Sequence, residues 1–228
     1  MFLSGRRLVA TLVLTLVTAN LAAQLRLDYY YDQSEMYTKF SDWIPKRLHQ
    51  WNPQFVEDFF LLYSLKQIYG TEELRRNIFF LKIALEKKFR HPSQALCKIE
   101  TPEQYHKYRL MMFMHINLKI MRSYLRLGSQ YDKRHLYFYN LDFADELKVS
   151  FAVAEGFYRE ALPYWEKARD YAKEASQYNF ELDLGSLESI RHEIMTDEIN
   201  FAVYTGNHLA RLKQKQDAVD KYLANRPQ

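Results

Sequence analysis

The 228-residue sequence holds one cysteine, six glycines and six prolines, and each shortage removes a class of structure or chemistry. Cys97 has no second cysteine to join, so no intrachain disulfide can staple the fold and stability has to come from packing. Cys97 lies beside Leu96 and Ile99, the setting of a small buried apolar residue. The scattered glycines form no phosphate-cradling loop, no dinucleotide fingerprint and no Gly-x-Ser-x-Gly elbow. A strong charge of one sign is also missing. The chain carries 32 basic and 28 acidic residues, a formal charge of +4, which gives no electrostatic case for nucleic-acid binding.

What is present points to helices. Hydrophobic residues make up 48% of the chain and aromatics 16%, enough to exclude disorder, and with so few turn formers this favours long helices over turn-rich β structure. The expected fold class is all-α.

The first 23 residues, MFLSGRRLVATLVLTLVTANLAA, place Arg6 and Arg7 before an apolar run from Leu8 to Ala19 and then small residues, the layout of a secretory signal peptide. Cleavage after Ala19 and cleavage after Ala23 both fit. No cysteine stands near either site, which argues against a lipid-modified N-terminus. The run from Leu8 to Ala23 contains three threonines and an asparagine and falls short of the ~20 residues of a spanning helix, so membrane association is expected only if the segment stays uncleaved. Residues 24–228 then form a single helical domain, periplasmic or secreted.

Within that domain, Asp28–Asp32 (DYYYD) leads into a helix over Ser34–Gln50. Asn52 and Pro53 read as cap and first residue of a second helix ending at Gly70. Leu74, Ile78, Leu81, Leu85 and Phe89 recur at helical spacing and predict an amphipathic helix from Thr71 to Arg90. Thr101-Pro-Glu-Gln104 is a capping box opening a long helix to about Leu127, with Gly128 and Ser129 at its end. That helix has two adjoining apolar stripes, one through Met111, Met114, Leu118, Met121 and Leu125, the other through Tyr108, Met112, Ile116, Ile120 and Tyr124. A helix apolar on two faces belongs at the centre of a fold. A connection over Gln130–Leu141 follows, then helices over Ala144–Glu155 and Tyr158 to about Tyr178. Ser186 reads as the cap of the next, Leu187–Tyr204, and Gly206 as the break before His208–Ala224. The expected total is about eight helices.

One stretch carries a family signature. In GFYREALPYWEKA, Gly156, Tyr158, Ala161, Trp165 and Ala168 fall on the turn, aromatic and small positions of a paired-helix repeat, with Val149 and Ala152 on a first helix upstream. The unit over 142–175 resembles the tetratricopeptide-repeat (TPR) family. It departs from the pattern at Asp145 and Lys148, where bulky apolar residues are usual, and at Pro163. The resemblance implies a short right-handed helical-repeat solenoid, with an irregular bundle as the alternative, and a role in binding peptides or partner subunits.

Catalytic and metal patterns are scarce. His192 is followed by Glu193, but Thr196 stands where a zinc-binding helix needs its second histidine. Glu103 and His106 form a lone Glu-x-x-His pair where a di-iron bundle needs two. The basic run Arg211–Lys215 reads as a solvated terminal helix. No cofactor is implied. The leading expectation is therefore a non-enzymatic scaffold or adaptor for envelope protein partners, in assemblies such as the flagellar motor or collar or the outer-membrane assembly machinery, with Tyr29, Tyr30, Tyr31 and Tyr158 as candidate contacts. Two alternatives stay open: a small-ligand or peptidoglycan binder using aromatic rings on a concave face, and an envelope hydrolase with an unrecognised site, for which the neighbouring carboxylates Glu100 and Glu103, in a chain with Trp43, Trp51 and Trp165 to meet a glycan, are the candidates.

Overall fold

The computed structural model describes residues 53–65, 67–132 and 143–225. The expected signal segment, Tyr29, Tyr30, Tyr31, the helix over Ser34–Gln50 and most of the connection to Leu141 lie outside these residues.

The described chain is all-helical. It contains α1 (Val56–Phe59) running into a π-helical turn (Phe60–Ser64), α2 (Thr71–Ala84), a 3-10 turn (Pro92–Gln94), α3 (Pro102–Tyr131), α4 (Ala144–Ala175), α5 (Ser186–Met195) and α6 (Phe201–Ala224). Phe55 and Lys88 make an isolated bridge, the Val56 N–H donating to the Lys88 carbonyl at 3.1 Å.

Helix α3 is the axis of the packing. Thr101 Oγ1 accepts from the Gln104 N–H at 3.2 Å, Gln104 Oε1 accepts from the Thr101 N–H at 3.2 Å, and Pro102 opens the helix without wasting a donor. All ten residues of the two apolar stripes are buried, so the helix is central, as its two-faced pattern implies. Helix α4 covers α3 over its length, α2 packs on α3 from another side, and α6 lies on α4.

The structure corrects several sequence expectations. The paired-helix unit over 142–175 is one continuous 32-residue helix, α4, with Gly156 in its interior. A Cβ on Gly156 would meet nothing within 4 Å, so no turn or close approach requires glycine there. Pro163 sits on the exposed side of the same helix. The signature residues instead belong to a longer row. Phe151, Ala154, Tyr158, Ala161, Trp165, Ala168, Ala172 and Ala175 alternate by three and four residues, and all are buried. This is the seam spacing by which one long helix packs along another. Val149 and Ala152 are exposed and take no part in it.

Gly128 and Ser129 do not end α3; they lie inside it, with Gln130 and Tyr131 continuing the helix. The second expected helix starts at Val56, where the Asp58 carboxylate accepts from the Gln54 and Phe55 N–H groups at 3.1 Å each, and its helical path ends at Ser64. Helix α2 stops at Ala84, six residues before Arg90, because Lys87 and Lys88 are drawn into the turn that meets Phe55. Gly185 takes the N-cap position of α5 with φ +59°, displacing Ser186 into the first turn. The break before the last helix is at Thr196–Asn200, not Gly206. Asp197 adopts φ +57°, and Asn200 Oδ1 caps α6 by accepting from Ala202 and Val203 at 3.1 and 3.3 Å. Six α-helices occupy the described residues.

Candidate functional site

The residues singled out as functional from sequence divide sharply in the structure. Tyr158 is fully buried and cannot be a surface contact. Its hydroxyl donates to Asp132 Oδ2 at 2.9 Å, and its ring lies where a Cβ on Gly128 would sit, 2.5 Å from Cε1. Ala161, Trp165 and Ala168 are buried beside it, so four of the repeat-signature residues form core. His106 meets Glu174 at 3.2 Å on the surface, and Glu100 pairs with Lys98 at 2.5 Å. Cys97 is half-buried against the core, and burial, with the Asp183 charge adding to it, raises its thiol pKa; an activated thiolate needs the opposite.

The buried charges are arranged as ties between elements. Asp132, at the end of α3, accepts from Lys215 Nζ of α6 at 2.6 Å and from Tyr158 of α4, with His208 Nδ1 at 3.8 Å. Burial opposes ionisation of Asp132, but the hydrogen bonds from Lys215 and Tyr158 and the Lys215 and His208 charges outweigh it, leaving its pKa below the usual carboxylate value. Arg211 donates to His208 at 2.9 Å and Lys213 pairs with Asp217 at 2.7 Å. The run Arg211–Lys215 is thus partly turned inward, against the expectation of a wholly solvated helix.

A second tie joins α3 to α5. Lys107, completely buried, meets Glu188 at 2.7 Å and donates to the Phe180 carbonyl; Glu188 also accepts from Arg191 at 2.8 Å and the Leu182 N–H at 3.1 Å. A third joins α1 to α3, where Glu57 accepts from Tyr108 at 3.1 Å and from the Arg90 N–H, and Arg90 pairs with Asp58. Each buried acid in these clusters accepts from at least one donor outside its own helix. Such groups hold helices in register.

One set of basic residues on α3 differs. His115, Lys119, Arg122 and Arg126 are spaced four, three and four apart, so they share a helix face and span about 16 Å at 1.5 Å per residue. They are half-exposed positions on a helix otherwise buried nearly all round. On one side of this seam the His115 ring lies 5.1 Å from Phe60 and its Nε2 3.5 Å from the Ser64 carbonyl, while Arg126 donates to the Ile68 carbonyl at 2.6 Å and covers the Tyr69 ring at 4.7 Å. On the other side Arg122 lies 5.3 Å over the Phe201 ring at the start of α6.

Burial and mutual repulsion both act on the charges of this seam. Burial lowers the pKa of Arg122, the Arg126 charge lowers it further, and Glu193 only partly offsets this; Lys119 is lowered by burial and by Arg126 and Arg122. His115 is pushed down to about 4 by burial, against the Ser64 carbonyl and with help from Arg122 and Lys119, so it is neutral at neutral pH. Its Nδ1 is buried without a hydrogen-bond partner. Arg122 has no hydrogen bond or ion pair within the described chain beyond its contact with Phe201. Large apolar side chains stand exposed on both flanking elements: Leu61, Leu65 and Tyr69 after α1, and Val203 and Tyr204 on α6. Sequence reading missed the seam because its two apolar stripes define α3 as central, although the four-three-four spacing of the basic residues was legible.

A cavity of about 430 Å³ is lined by Arg169, Asp170 and Lys173 of α4 and Ile194 and Met195 of α5, with no aromatic ring in that lining. Among the described residues no cluster of His, Cys, Asp and Glu is disposed to hold a metal ion, and no helix is long and apolar enough to cross a membrane.

Comparison with known proteins returns no curated protein and no solved structure that matches. A family model does match, over residues 103–222, from the first turn of α3 to near the end of α6, more than half of the chain. The protein therefore belongs to the family described as a domain of unknown function (DUF8513).

Proposed function

We propose that this protein is a non-enzymatic adaptor of a bacterial envelope, exported by its N-terminal segment, that holds partner proteins against its helical surface. The observation that carries the reading is the contrast among its buried and half-buried charges. Acids in the interior are tied to neighbouring helices, whereas the cations along α3 crowd one another between exposed apolar side chains. A surface that combines half-buried charge with exposed apolar side chains is what a protein partner covers. The fold reading that accompanies this is the irregular bundle, not the repeat solenoid, because α4 replaces the hairpin on which a repeat depends.

The ligand-binding alternative has less support, since the described cavity lacks rings to stack on a sugar or lipid. Export is tested by fractionation: the mature chain, beginning after Ala19 or Ala23, belongs in the periplasmic or secreted fraction. The adaptor role is tested by isolating the tagged protein from gently solubilised envelopes beside an untagged control. A partner in fixed ratio is the expected result, and a chain that migrates alone in every extract contradicts the reading.

A further inference from the structure

We propose that His115 is the pin of an acid-released clasp: when its ring takes up a proton, the π-helical turn Phe60–Ser64 comes away from α3. The inference does not rest on the adaptor reading. A π-helical turn is a rare form of backbone that recurs at functional positions, and this one is held from two sides. On the α2 side Tyr63 stacks on Phe80 at 4.5 Å. On the α3 side the His115 ring lies 5.1 Å from Phe60 and its Nε2 meets the Ser64 carbonyl at 3.5 Å, so Nε2 is the nitrogen that carries the proton and Nδ1 is not.

The surroundings make this ring intolerant of a second proton. Nδ1 is buried with no hydrogen-bond partner, and a charged N–H there is an orphaned donor, costlier than the orphaned lone pair it replaces. Among the described residues the charges that act on the ring are Arg122 and Lys119 of its own helix, both of which repel an imidazolium. The turn brings only the Phe60 ring and the Ser64 carbonyl, and no described carboxylate of α1 or α2 acts on it. Burial, opposed only by the Ser64 carbonyl, thus holds the ring's pKa at about 4 in the closed form, against 6.5 for an exposed ring. The closed form refuses a proton that the open form takes. The clasp is therefore at full strength above about pH 6.5 and weakens as pH falls from there to about 4. What opens is local: Tyr63 keeps the turn on Phe80 of α2, and the exposed Leu61 and Leu65 move with it.

The test follows hydrogen exchange of the full chain from about pH 7 to about pH 4.5 and, on the same protein, the ring titration of His115 by NMR. Protection factors of the Phe60–Leu65 amides are expected to fall about tenfold per pH unit below about pH 6, while amides in the middle of α3 and α4 keep theirs, and the ring is expected to titrate well below pH 6.5. His115→Phe keeps a ring against Phe60 and leaves Glu57 and Asp58 of α1 in place. It is expected to flatten the change at the turn to less than about threefold over the whole range. Equal loss of protection in wild type and His115→Phe, protection unmoved from neutral to acid pH, or parallel loss throughout α3 and α4 overturns the inference. So does a ring that titrates at its ordinary value, a wild-type measurement that decides the matter if His115→Phe does not fold.

Discussion

Gly128 and Gly156 show how differently two glycines act inside long helices of one protein. Gly128 is small because Tyr158 occupies the place of its missing side chain, and Tyr158 is there because its hydroxyl reaches the buried Asp132. Gly156 faces open space, so it contributes only the backbone freedom that weakens a helix. Gly128→Ala is therefore expected to destabilise the protein by about 1–3 kcal/mol through overpacking, whereas Gly156→Ala stabilises it by about 0.5–1 kcal/mol, both read from chemical denaturation midpoints. If Gly156 lay in a turn with positive φ, alanine there would destabilise instead. Asp132 adds a pH dependence. Its folded pKa lies below its unfolded value, so its stabilisation is complete above about pH 4 and is lost as pH falls through the folded pKa. Asp132→Asn is expected to reduce stability by about 2 kcal/mol at neutral pH, with the gap to wild type closing below about pH 4. Tyr108 and Tyr158 act at the opposite limit. Burial and the neighbouring Glu57 and Asp132 charges raise both pKa values, so the tyrosines stabilise the fold below about pH 10 and cease to do so as pH rises through the folded values. Unfolding midpoints measured across the alkaline range check this, with the decline expected to be shallower in Tyr108→Phe/Tyr158→Phe.

Helices α3 and α4 explain why a repeat signature occurs without a repeat. Any long helix packed lengthwise on another alternates three- and four-residue steps, and the aromatic and small residues at Tyr158, Ala161, Trp165 and Ala168 satisfy that seam as well as they satisfy a repeat's second helix. What distinguishes the two is whether the chain turns at Gly156, and glycine is compatible with either path. The capping box at Thr101 was legible because its two hydrogen bonds are local; the break at Thr196–Asn200 was not, since neither glycine nor proline marks it and Gly206 offered a more conventional signal. Asn200 was the available clue, a capping residue directly before an apolar turn. Long-range ties leave no sequence signal at all: Lys107 reads as a surface lysine in the first turns of α3, yet it is buried against Glu188, 81 positions away in the chain. Lys107→Met is expected to destabilise the protein by about 3–5 kcal/mol, because Glu188 is left buried with part of its charge unpaired. Adding Glu188→Leu is expected to restore most of that loss, a coupling measurable by a double-mutant cycle. Additive losses in the cycle would show that the two side chains do not act as a pair.

At the scale of the whole molecule, the all-helical class and the central place of α3 follow from composition and periodicity, but the candidate surface does not. Four basic residues on a third face of α3 gain significance only when the elements after α1 and at the start of α6 rise beside them and desolvate them. The residues proposed from sequence as contacts had the opposite fate in the case of Tyr158, whose aromatic ring is core. The resulting picture is of a bundle fastened internally by buried ion pairs. The most direct test of the adaptor reading places a photoreactive amino acid at Leu65 or at Val203, both exposed apolar positions, and irradiates living cells that produce the protein. A discrete partner adduct from at least one of the two positions is the predicted result. A folded chain that yields no partner adduct from either position would contradict it.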